Sequence, residues 1–137
     1  MSASIFLRAA TAADQSRIRQ IVRAAGINPM NLAWPRFIVA EDRGEIVGVL
    51  RGRKERLASL FVRGDHHRQG IGRRLVERFE QESVRQGTRV LRVAATQYAI
   101  PFYLALGYRR STGVRTGWSF EGRGLKVQPM RKVLGKG

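Results

Sequence analysis

Phe61-Val62-Arg63-Gly64-Asp65-His66-His67-Arg68-Gln69-Gly70-Ile71-Gly72-Arg73 carries an apolar strand through a short polar turn into the start of a helix. Ile71, Leu75, Val76 and Phe79 follow at helical spacing, so Gly70 and Gly72 fall at a helix N-terminus and not inside a strand. The first N–H groups of a helix have no partner within it, and the positive end of the peptide dipoles lies there. Glycine leaves those groups uncovered, and Arg68, Arg73 and Arg74 add positive charge around the same point, which suits a phosphate on the helix axis. Gly70-Ile71-Gly72-Arg73-Arg74-Leu75 lacks the third glycine of the dinucleotide fingerprint, and no Gly-Lys-Ser/Thr closes a nucleoside-triphosphate loop. The stretch reads as a cradle for a pyrophosphate without an attached metal, or else as a tight turn eased by glycine.

The length of 137 residues bounds the chain to one domain around one core. An apolar fraction of 43% with 26% charged residues is that of a soluble globular protein, and no apolar run reaches the roughly eighteen residues that span a bilayer, so no membrane role is expected. The stretch from Met1 to Arg8 has no basic leader ahead of its brief apolar segment and does not read as a secretion signal. The absence of cysteine excludes a disulfide framework, a thiolate metal site and a cysteine nucleophile. A cytoplasmic enzyme or binding protein fits these bounds, and no metal-ligand set is expected.

The net charge of +16, from 26 Lys and Arg against 10 Asp and Glu, favours acidic partners. Nucleic acid is the usual inference. The charges nevertheless run from Arg8 to Lys136 without a block or tail, which reads mainly as a solvated basic surface and does not favour a nucleic-acid role.

Periodicity predicts a strand over 4–9, a helix from a cap at Thr11-Ala12-Ala13-Asp14 to about Ala25, and a loop over 28–35. Strands over 37–41 and 45–51 flank the turn Asp42-Arg43-Gly44, and a third follows over 57–62. The glycine-opened helix covers about 69–86, a strand 89–95, and a short helix opens at Pro101 and stops at Gly107. A strand to Ser111, a glycine-rich loop over 112–124 with Trp118 and Phe120 as lid or core residues, and a closing strand over 125–134 complete the order β-α-β-β-β-α-β-α-β-β. The fold class is α/β (α+β), with one mixed sheet flanked by helices.

The glycine turn, the hairpin before it and Phe102-Tyr103-Leu104-Ala105-Leu106-Gly107-Tyr108 together resemble the GNAT superfamily of acetyl-CoA-dependent N-acetyltransferases over nearly the whole chain. The family motif of Gln or Arg, two residues, Gly, one residue, and Gly or Ala is filled by His67, Gly70 and Gly72, with His67 departing from it. The resemblance implies a single GNAT-like domain, acetyl-CoA as co-substrate, and a pyrophosphate held by the backbone of Arg68, Gln69, Gly70, Ile71, Gly72 and Arg73. It implies that Leu60, Phe61 and Val62 hold the pantetheine arm and acetyl group through their backbones, as a splayed strand accepts an extra one. Thr96 stands where family members often carry an asparagine, with a hydroxyl in place of the amide, and Tyr103 matches the general acid that protonates the CoA thiolate.

Acetyl transfer needs a neutral amine, and Glu41, Asp42, Glu45 and Glu55 are the acidic candidates for the base. Glu55 is the one the resemblance favours, because some relatives use a glutamate early on the strand before the cradle, although its register here is one residue off. Deprotonation through water is the alternative, and His66 and His67 sit at the pyrophosphate end. The expected acceptor is a small-molecule or peptide amine, met by 27–34 and 112–120, with Trp34 and Trp118 as lining candidates. A homodimer is compatible with the sequence. The competing class is a basic binding module of the same fold, contacting nucleic acid or another acidic partner through Arg109, Arg110, Arg115, Arg123, Lys126, Arg131 and Lys132.

Overall fold

The computed structural model describes residues 5–24, 36–66, 69–113, 115–118 and 124–135. Along the chain come β1 (Ile5–Ala9), α1 (Gln15–Ala24), β2 (Arg36–Asp42), β3 (Glu45–Arg53), β4 (Arg56–Val62) and α2 (Ile71–Arg85). They are followed by β5 (Val90–Thr96), α3 (Ile100–Ala105), β6 (Arg109–Arg110), β7 (Arg115–Trp118) and β8 (Gly124–Val133). The eight strands form one sheet in the order β1-β2-β3-β4-β5-β8-β6, with β7 also on β8. All neighbours are antiparallel except β4 and β5, which are parallel. No helix among the described residues is long and apolar enough to cross a membrane.

The predicted elements are present with shifted ends, and one expectation is corrected. The stretch 112–124 is not a loop throughout, because Arg115 to Trp118 pair with Val127 to Gly124 as a strand. Its glycines mask the period-two signal, and pairing with β8 supplies the order that local composition does not. Phe120, Trp34, Gly26 and the rest of 25–35 lie outside the described residues.

Among the described residues, α1 packs on one face of the sheet and α2, with α3 beside it, on the other. Ile71, Leu75, Val76 and Phe79 of α2 pack with Ile38, Val47, Leu50, Leu57, Leu91, Val93 and Met130, while Ile18 and Ile21 of α1 pack with Val39, Ile46 and Val49 on the other face. β3 is buried on both faces and separates the two clusters. The start of α1 is held by Arg8, whose guanidinium donates to Asp14 at 2.7 and 2.9 Å and to Glu41 at 2.9 Å. The Arg8 bond holds the Asp14 carboxyl well below the usual carboxylate range, although burial of the group opposes it.

Phe79 reaches the sheet where Gly52 has no side chain: a Cβ there would stand 2.5 Å from the ring and 2.9 Å from the Arg56 carbonyl. Gly52→Ala is therefore expected to destabilise the fold by about 1–3 kcal/mol through overpacking. Gly64→Ala, with nothing within 4 Å of the added carbon, should stay within about 0.5 kcal/mol. Urea unfolding of the two variants checks this, and equal midpoints would mean that the ring moves aside freely.

Candidate active site

β4 and β5 pair only at Arg56 with Arg92 and at Leu57 with Val93. Beyond those residues β4 continues to Val62 and β5 to Thr96 with no shared ladder, so the sheet opens like a V toward the C-terminal ends of both strands. The divergence begins at a register shift between β3 and β4, where Arg51 pairs with Ser59 and Gly52 with Leu57, leaving Ala58 as an extra residue. Ala58, Ser59 and Leu60 form one wall of a cleft of about 230 Å³, Val93 to Thr96 the other, and Ala99, Phe102 and Tyr103 its lid on the α2 side. Small side chains on both walls leave room for an apolar arm, and strand geometry directs alternate backbone polar groups of β4 into the opening.

At the open end, Gly70 is the N-cap of α2 with φ +77°, a conformation that glycine takes without strain. The first intrahelical bond runs from the Arg74 N–H to the Gly70 carbonyl at 3.0 Å, so the N–H groups from Gly70 to Arg73 have no acceptor within the helix. A Cβ on Gly70 would meet nothing within 4 Å, while one on Gly72 would sit 3.4 Å from the Phe102 ring and 3.6 Å from Leu60. Gly72 thus borders both the helix terminus and the cleft. Buried Ile71 anchors this turn, and Gln69 is exposed.

The arginines do not all crowd this terminus as expected. Arg73 pairs with Glu77 at 3.0 Å, and Arg74 donates to the Ile5 carbonyl at 3.3 and 3.4 Å. A helix surface offers i,i+4 partners and neighbouring strand ends, and both side chains take them. Arg68 and His67 lie outside the described residues.

Tyr103 is 4% exposed and stands edge-on to Phe102 at 5.0 Å and to Tyr108 at 5.4 Å between ring centres. Burial pushes its phenol well above the ordinary value, so it stays protonated at neutral pH. Tyr108 donates to Glu80 at 2.8 Å, and Lys132 bonds the same carboxylate at 3.0 Å and the Leu106 carbonyl at 2.7 Å, tying α2, the end of α3 and β8 together behind Tyr103. Thr96 ends β5 in extended conformation with no side-chain cap bond and lines the cleft. Phe61 turns to the α1 face and Val62 to the α2 face, so only their backbones follow the opening.

Glu55 is not on the strand but in the β3–β4 turn, exposed, with its carbonyl accepting from the Arg92 N–H at 3.1 Å. The cleft opens away from that turn, and its described lining includes no acid. Glu41 is bound to Arg8 and Glu45 to Arg63. Sequence reasoning missed Phe102 of α3 and Ala58, Ser59, Ala94 and Ala95, the last four signalled by a pair of small residues on each of two strands. It also missed Arg51, which is buried directly across from Ser59 and whose pKa is lowered by desolvation.

His66 lies between β4 and α2, with Nε2 on Asp42 and Nδ1 on Asp65, both at 2.9 Å. The Asp42 carboxylate, then that of Asp65, raises its pKa by holding the imidazolium.

The acetyltransferase (GNAT) domain model matches residues 20–134. In fold the chain is similar to Ard1 from Thermoplasma volcanium, with TM-score 0.83, 18% identity, and 97% of this chain and 99% of that one covered. It is similar to the ribosomal-protein-S18-alanine N-acetyltransferase from Escherichia coli at TM-score 0.75 and 19% identity, covering 97% and 96% of the two chains. A phosphinothricin acetyltransferase of the GNAT superfamily from Sinorhizobium meliloti, solved in complex with acetyl-CoA, matches at TM-score 0.77 and 22% identity over 98% and 90%. At these identities the likeness is one of fold. Comparison with curated protein sequences gives no match.

The raised pKa of His66 sets a sign for pH dependence. Its contribution to stability is fully present below the unfolded value of about 6.5 and fades as pH rises through the folded one. His66→Gln should therefore lower the thermal midpoint at about pH 5.5 and have little effect at about pH 9. An equal loss at both pH values would assign the effect to packing of the ring.

Proposed function

The chain belongs to the GNAT acetyltransferase family, whose co-substrate is acetyl-CoA, and from that premise we propose that it transfers an acetyl group to the primary amine of a small molecule or peptide by direct attack. The observation that carries this reading is the cleft between β4 and β5, which joins the glycine-capped start of α2 to buried Tyr103. Acetyl-CoA would supply the activated thioester.

In this reading the backbone N–H groups of Gln69, Gly70, Ile71, Gly72 and Arg73 bind the pyrophosphate, and Arg68, which precedes them in sequence, belongs to the same proposal. The backbones of Leu60, Phe61 and Val62 take the pantetheine arm as a short extra strand, and Thr96 offers its hydroxyl from the opposite wall. A strand N–H polarises the carbonyl and the closed walls orient the reactants, the two effects that dominate acyl transfer. Tyr103 Oη holds the proton that the leaving sulfur takes, and burial keeps that proton in place until it is needed. With no acid among the described lining, the amine loses its proton through water or arrives neutral, and Glu55 acts only if the acceptor brings a solvent path to it.

Arg51 beside the Ser59 wall and the positive surface disfavour polycationic acceptors, so a neutral or acidic amine fits best. A cytoplasmic location, where acetyl-CoA is at hand, belongs to the same proposal.

Gly72→Asp separates a cradle from a mere turn. The added Cβ makes only ordinary contacts and an acid in the first helical turn suits the positive end of the helix, so stability should stay within about 1 kcal/mol of wild type. Acetyl-CoA affinity, measured by calorimetric titration, should fall roughly tenfold or more because the carboxylate repels a pyrophosphate at the same N–H groups. Unchanged affinity in the folded variant would remove the cradle.

Tyr103→Phe should keep the fold and acetyl-CoA binding while kcat drops roughly 10²- to 10⁴-fold. Glu55→Gln should stay within about twofold of wild type, and a loss comparable to that of Tyr103→Phe would restore Glu55 as the base. An amine screen with thiol detection reads both.

A further inference from the structure

Register places five arginines side by side across five strands. Arg53 of β3 is paired with Arg56 of β4, Arg56 with Arg92 of β5, Arg92 with Arg131 of β8, and Arg131 with Arg109 of β6. Directly paired residues share a face. Their strand neighbours Leu57, Leu91, Val93 and Met130 are buried with α2, so the arginines lie on the opposite face, and all five are exposed. At about 4.8 Å per strand the row is about 19 Å long.

Such a row opposes folding, because like charges set directly across a sheet repel. Arg8, Arg63, Arg73, Arg78 and Lys132 each have a carboxylate partner. The side chains of Arg56, Arg92, Arg109 and Arg131 have no such partner among the described residues. The acid nearest to them in sequence is Glu55, in the turn between Arg53 and Arg56. Next to the row on the same face, Ala94 pairs with Pro129, so no bulky side chain screens it there.

We propose that this arginine row binds the phosphate backbone of a nucleic-acid strand. A nucleic-acid strand carries a phosphate on every nucleotide whatever its base sequence, so a strand laid along the row brings phosphates to successive guanidiniums. An extended peptide offers same-face side chains every 6.6 Å or so and matches the row only if it has an acid at each. Guanidinium forks also grip phosphate oxygens bidentately. None of the five arginines lines the cleft, so the row acts independently of acetyl transfer.

The test is fluorescence anisotropy of a labelled oligouridine of about twelve nucleotides with nucleic-acid-free protein, over about 50 to 200 mM salt. Arg92→Gln/Arg131→Gln should bind at least roughly tenfold more weakly and lower the slope of log K against log salt by about 1.4, or about 0.7 for each phosphate no longer neutralised. Arg19→Gln/Arg85→Gln removes the same charge from exposed helix positions and should cost less than about threefold. Unchanged thermal midpoints and acetyl-CoA titration certify both variants, and Arg56→Gln/Arg109→Gln carries the same expectation if the first pair does not fold. Equal weakening in row and helix variants, no binding by wild type at the lowest salt, or stronger binding of an oligoglutamate of equal charge would overturn the proposal.

Discussion

The two-residue pairing of β4 with β5 is the constraint on which the rest of the structure depends. A parallel ladder continued to Val62 and Thr96 would close the sheet and leave no cleft. It ends because the β3–β4 register slips by one residue at Ala58, which turns the following stretch away from β5. The separated strands keep their other partners: β4 stays on β3 and β5 on β8, so the opening costs only one run of ladder bonds. α2 spans the gap from below with Ile71, Leu75 and Val76, and its N-terminus is delivered to the mouth by the short turn after β4.

Much of this was legible in the sequence, for physical reasons that differ by element. Helix α2 announced itself because Ile71, Leu75, Val76 and Phe79 must share one face, and its N-terminus because Gly70 and Gly72 stood at its start. Strands β2 and β3 were legible from the turn Asp42-Arg43-Gly44, which the structure keeps with positive φ at Arg43 and Gly44. β7 was not, since its strand character comes from pairing with β8. Glu55 was singled out by the resemblance and not by the strand pattern, which began at Leu57, and the hairpin uses Lys54 and Glu55 for its turn.

The site splits along the same line. Gly70 and Thr96 stood out because each lies at the end of an element, Gly70 opening α2 and Thr96 closing β5. Residues that depend on which strand lies beside which did not: Ala58 meets Ala94 across the cleft only through the divergence, and Arg109 joins Arg53 in one row only through three intervening strands. Scattered arginines in one dimension become a stripe in three, so the even distribution along the chain was a misleading measure of the surface.

The long strand β8 has a consequence for how the chain is assembled. β2, β3 and β4 form a meander closed by tight turns, contacts that a growing chain makes early. β5 has almost no claim on that meander and pairs along its full length only with β8, more than thirty residues later in its outermost pairs. Until β8 docks, β5 presents an apolar strand with open edges, the kind of surface that recruits other chains. The half of the molecule that carries Tyr103 is thus the slower to fold and the more exposed to aggregation while it waits.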